Sequence, residues 1–61
     1  MLSRLIAARE ARGMTQAQVA ERLGIPQPRV SDIETGQRRI DPIELAEFAR
    51  LYRRRLEYFV P

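Results

Sequence analysis

Sixty-one residues make one small domain at most, and a chain of that size buries only about 60% of its unfolded surface, so its stability reserve is modest. Cysteine and histidine are both absent, which excludes disulfides and thiolate sites and removes the commonest general base and metal ligand. All eleven basic residues are arginine and they face eight acids, a net charge of +3; this excess suits a partner rich in phosphate.

Along the chain, Leu2, Leu5, Ile6 and Arg9 recur at helical spacing, and Gly13 stands where a helix would close, predicting a first helix over 2–12. Thr15 and Gln18 form a T-x-x-Q capping box, which starts a second helix at 16 and lets it run to 23, with Gly24 at its end. Val19, Ala20 and Leu23 make its inner stripe. A third helix, 27–35, opens with Pro26 and Pro28, tolerable there because first-turn N–H groups lack an intrahelical acceptor, and it stops at Gly36.

The polar stretch GQRRID follows, and Asp41, Pro42 and Glu44 then supply cap, first-turn proline and first-turn carboxylate for a fourth helix over 42–52. Leu45, Phe48, Ala49 and Tyr52 mark its buried side, and the tail RRRLEYFVP has room for a short helix over 55–60. No alternating strand pattern, repeat or low-complexity segment occurs. The expected architecture is all-α: a compact bundle of four to five short helices forming a single domain over 1–61. No apolar run approaches the roughly 20 residues needed to span a bilayer, and the first residues lack a signal-peptide layout, so a cytoplasmic, nucleoid-associated location is expected and no membrane partner.

The break between the second and third helices carries the functional signal. Helix, short turn beginning with glycine, helix is the layout of a helix-turn-helix. Ala20 falls where the two helices cross and only a small side chain fits, Gly24 takes the turn, Ile25 plugs the corner, and Val30 and Ile33 face inward from the third helix. Small residue, glycine and three apolar positions all stand in register between two well-formed caps.

On these residues the chain resembles the Cro/repressor type of helix-turn-helix, the xenobiotic-response-element family, over nearly its whole length. The matching segments are Arg9 before GMTQ, then TQAQVAERLG, VSDIETG, the helix after Asp41, and LEYF. The resemblance implies a fold of five α-helices, a lambda-repressor-like arrangement, and a dimer that binds operator DNA to regulate, and most simply to repress, transcription.

Placed on a helical wheel at about 100° per residue, Pro28, Ser31, Asp32 and Thr35 lie opposite Val30 and Ile33, with Gln27 and Arg29 on the flanks. In this motif the second helix enters the major groove by its N-terminal end, and the first crosses the sugar–phosphate backbone. Gln27 matches the position where the family carries a base-reading glutamine, suited to adenine N6 and N7. Arg29 suits either a guanine edge or a phosphate. Pro28 offers only apolar contact, and Asp32 is useful mainly against cytosine N4. Thr15 and Gln16, at the start of the first motif helix, are expected near a phosphate. Thr35, Gln37, Arg38 and Arg39 are expected along the backbone, where contacts orient without specifying sequence.

Arg9 shares a stripe with Leu2, Leu5 and Ile6, a poor place for an unpartnered charge, and Glu34 lies beside Val30 on the inner side of the third helix. Both match the family's arginine–glutamate pair, so a partly buried salt bridge is expected. In the tail, Leu56, Tyr58, Phe59 and Val60 are candidates for a two-fold interface, although part of this set caps the core. The family commonly has a glycine and a polar cap between its last two helices, where this chain has Arg53, Arg54 and Arg55.

Two other readings compete. Asp32, Pro28 and the modest net charge fit a protein-interaction or antitoxin-like module of the same fold without DNA affinity; the chain also resembles the N-terminal portion of a longer regulator. An enzyme is the weakest choice. No phosphate loop or convergent carboxylate pair accompanies the missing histidine and cysteine, so no cofactor or metal is expected.

Overall fold

A computed structural model describes residues 1–60 as five helices: α1 (Leu2–Ala11), α2 (Gln16–Leu23), α3 (Gln27–Glu34), α4 (Pro42–Tyr52) and α5 (Leu56–Phe59). No strand occurs among the described residues. The second and fourth helices have the expected limits. The first and third stop one residue short of expectation, because Arg12 (φ −86°, ψ 0°) and Thr35 (φ −93°, ψ −2°) serve as caps. The fifth is confined to a single turn.

The caps explain these limits. Thr15 Oγ1 accepts from the Gln18 N–H at 3.1 Å, and Gln18 Oε1 accepts from the Thr15 N–H at 2.8 Å, a reciprocal capping box. Gly24, at φ +69°, then turns the chain so that the Ile25 N–H reaches the Ala20 carbonyl at 3.0 Å. Asp41 Oδ1 accepts from the Glu44 N–H at 2.7 Å and sets the start of α4. The end of α4 departs from habit: Arg53 adopts a left-handed conformation, φ +58°, where glycine is the economical residue.

Inside the bundle, Val19, Val30 and Ile33 are fully buried, and Leu5, Ala8, Phe48 and Phe59 nearly so. α2 and α3 pack most extensively, with α1 also against α3 and α5 closing the far side against α1 and α4. Ala20 is buried in this core, where a longer side chain would overpack it. Phe48 meets Tyr52 edge to face, with ring centroids 5.9 Å apart. Burying each of the large apolar side chains is worth about 1.5–3 kcal/mol, and in a chain this short every one counts.

Phe59 corrects one expectation. A candidate for the two-fold interface by its place in the tail, it is only 1% exposed and stacks edge-on with Tyr58 at 5.0 Å. A ring enclosed by its own core has no surface to offer a second subunit. Leu56 and Val60 remain 41% and 48% exposed, and Tyr58 is partly exposed.

Candidate nucleic-acid interface

The outer face of α3 is built by what its inner face anchors. Val30 and Ile33 sink into the core, which leaves Gln27, Pro28, Asp32 and Thr35 exposed and Ser31 half-buried at the edge. Pro26 and Pro28 hold the first turn open without wasting donors. At the other end, Thr35 Oγ1 donates back to the Ser31 carbonyl at 3.0 Å. The Asp32 carbonyl then accepts the N–H groups of Gln37 and Arg38 at 2.8 and 3.1 Å. These bonds fold the loop 36–39 against the end of α3, so exposed Gln37, Arg38 and Arg39 follow directly on from the exposed helix face.

Behind that face sits the arginine–glutamate pair. Arg9 Nε and Nη2 meet Glu34 Oε2 and Oε1 at 2.8 and 3.2 Å, and Arg9 Nη1 donates to the Met14 carbonyl at 2.9 Å. The side chains are 14% and 3% exposed. A two-pronged bond in such surroundings fixes direction as well as distance. It joins α1 to α3 and ties the loop before α2 to both. The hydrogen bond to Glu34, more than simple charge attraction, holds the Arg9 guanidinium above its already high usual pKa, with burial opposing. Tyr52 lies close enough to feel both charges. Burial pushes its phenol well above the usual range; Glu34 adds to the shift and Arg9 opposes it. The Tyr52 hydroxyl is buried without a hydrogen-bond partner among the described residues.

Gln16 joins this network: its Nε2 donates to Glu34 Oε1 at 2.9 Å. The expectation that its side chain faces a phosphate therefore needs revision, because that amide is turned inward to complete the shell of a buried carboxylate. Thr15, exposed at the same helix start, has its hydroxyl oxygen engaged in the cap.

Arg29 also differs from the free rim cation expected of it. Its Nη2 lies 2.8 Å from Glu44 Oε2, with side chains 35% and 10% exposed, and its Nε is buried without a hydrogen-bond partner among the described residues. α3 is thus held at two points, by Glu34 to α1 and α2 and by Arg29 to the first turn of α4. Glu44 was legible only as a capping-turn carboxylate; nothing in a spacing of fifteen residues identifies its second role.

A further cluster has no signature in the spacing of its residues. Arg4 Cζ lies 5.1 Å and Arg54 Cζ 4.9 Å from the Tyr58 ring centre, and Arg4 Nη1 donates to the Tyr58 carbonyl at 2.6 Å. Arg4 fastens α5 to α1, and Arg54 holds the same ring from the linker after α4. Arg53 and Arg55 stand exposed beside them.

Among the described residues no group of three or more His, Cys, Asp or Glu is placed to hold a metal ion. Nor, among the described residues, is any helix long and apolar enough to cross a membrane. A family model described as helix-turn-helix matches residues 5–59, and its family is a DNA-binding one rather than a catalytic one. Neither a curated protein nor a solved structure is significantly similar to the chain.

Proposed function

The chain belongs to the helix-turn-helix family of the Cro/repressor type, and on that premise we propose that it represses transcription as a dimer, setting α3 into the major groove of an operator. The observation that carries this reading is the two-sidedness of α3: Val30 and Ile33 are fully buried while Gln27, Pro28, Asp32 and Thr35 face outward, contiguous with Arg38 and Arg39. In this reading Gln27 reads an adenine edge, Asp32 a cytosine amino group, and Pro28 lies against a thymine methyl. Thr15, Ser31, Thr35, Gln37, Arg38 and Arg39 follow the phosphates on either side. Two copies, joined through Leu56, Val60 and the exposed edge of Tyr58, present their α3 helices to half-sites about 34 Å apart. The protein then works in the cytoplasm, on the nucleoid.

Binding to random-sequence duplex DNA across a salt series tests the reading. The logarithm of the affinity falls linearly with the logarithm of salt concentration, by about 0.9 for each phosphate neutralised. Selection from a randomised pool then yields a two-fold symmetric site. A second reading, a protein-interaction module, is favoured by exposed Asp32 and by the engagement of Arg29 with Glu44. Flat, negligible binding at all salt concentrations sinks the first reading and favours the second.

A further inference from the structure

We propose that Glu44 sets DNA specificity at a distance: it withholds Arg29 from the phosphates and so suppresses sequence-independent binding. This rests on the DNA-binding reading above.

The ion pair is asymmetric. Glu44 sits in the first turn of α4, where the helix dipole favours a carboxylate, and its own backbone N–H is capped by Asp41 at 2.7 Å. It is 8% exposed and fixed. Arg29 sits in the first turn of α3, where the dipole disfavours a cation, and its side chain is 35% exposed. The carboxylate is therefore the anchor, and the arginine is the member that leans toward it. Freed, Arg29 would stand beside exposed Gln27 and Pro28 at the helix end that enters the groove, with a fork suited to phosphate.

An arginine released there adds affinity for every sequence alike, because phosphate contacts carry no base information. Paired with Glu44, it adds none, and discrimination is left to Gln27 and its neighbours. The sequence carries a net charge of only +3, so one neutralised arginine is a large share of the positive field available for non-specific attraction. Glu44 is in this sense a positioning residue, acting through Arg29 alone.

The test uses the whole chain, a short random-sequence duplex, and four proteins: the natural one, Glu44→Gln, Arg29→Gln, and the double variant. Glu44→Gln keeps the side-chain shape and releases the guanidinium. Its non-specific affinity at low salt rises roughly three- to tenfold, and its salt slope steepens by about 0.9, one phosphate contact. Arg29→Gln leaves the slope of the natural protein unchanged, and the double variant matches Arg29→Gln. A slope unaltered by Glu44→Gln overturns the proposal. So does a double variant that keeps the full gain, since the effect is then only the loss of a negative charge. Should Glu44→Gln not fold, Arg29→Gln alone decides: a slope shallower by about 0.9 means that Arg29 already grips phosphate. No binding by the natural protein at any salt concentration overturns the DNA reading itself, a result distinct from the others.

Discussion

Replacing Glu34 by glutamine preserves its shape and removes the charge that Arg9 was placed to meet. The two-pronged bond at 2.8 and 3.2 Å becomes at best a single one, because an amide offers one acceptor oxygen; Arg9 loses its counter-charge, keeping the Met14 carbonyl, and Gln16 faces an amide instead of a carboxylate. Breaking one side of a buried pair costs about 3–5 kcal/mol. Arg9 retains a path to water at 14% exposure, so the low end of that range, about 3 kcal/mol, applies. A domain of this length has roughly 3–9 kcal/mol of stability in all, and each kcal/mol corresponds to about 4–8 °C in Tm. Thermal melts followed by far-UV circular dichroism are therefore expected to drop by about 12–24 °C. The sharper assay is a cycle of Arg9→Met, Glu34→Met and the double variant, in which the second substitution costs at least about 2 kcal/mol less than the first. If the two losses add to within about 0.5 kcal/mol, the residues act independently and the reasoning about how α3 is held fails.

Tyr52→Phe removes a hydroxyl with no hydrogen-bond partner among the described residues, so stability at neutral pH changes by less than about 1 kcal/mol. Because burial raises the Tyr52 phenol in the folded chain, the unfolded chain loses its proton first, near the usual value of about 10. Stability therefore falls as pH climbs above that value, by up to about 1.4 kcal/mol per unit, and Tyr52→Phe flattens the fall; an identical alkaline profile for both proteins would contradict the assigned burial. Arg53→Gly relieves a left-handed residue at φ +58° and is expected to add about 0.5–1 kcal/mol, a rise of about 2–8 °C in melting experiments. On DNA, Arg38→Ala and Arg39→Ala each make the salt slope shallower by about 0.9 and weaken all sequences alike. Gln27→Ala instead costs about 1–3 kcal/mol on the selected operator and little on random duplex.

What local chemistry decides was readable from the sequence. A capping box spans three residues, a first-turn proline and its aspartate are adjacent, and a glycine at a helix end answers to its own φ, so both limits of α2 and the start of α4 follow from neighbours alone. The inward stripes of Val19, Ala20, Leu45, Phe48, Ala49 and Tyr52 follow from helical periodicity and are buried as that periodicity requires. The pairing of Arg9 with Glu34 follows from the family resemblance together with the cost of an unpartnered charge on an apolar stripe.

Only the tertiary structure decided where the remaining polar groups turn. A glutamine at a helix start suits a phosphate or a buried carboxylate equally well, and the position of Glu34, eighteen residues on, settled Gln16 for the carboxylate. An arginine in the first turn of α3 has the same two options, and Glu44 settled it likewise. Phe59 belongs to the core because α5 folds back over α1 and α4, not because of anything in its immediate sequence. Spacing encodes which residues share a face; which oppositely charged group arrives within 3 Å depends on the angles at which separate helices cross, and those are set by the packed core as a whole.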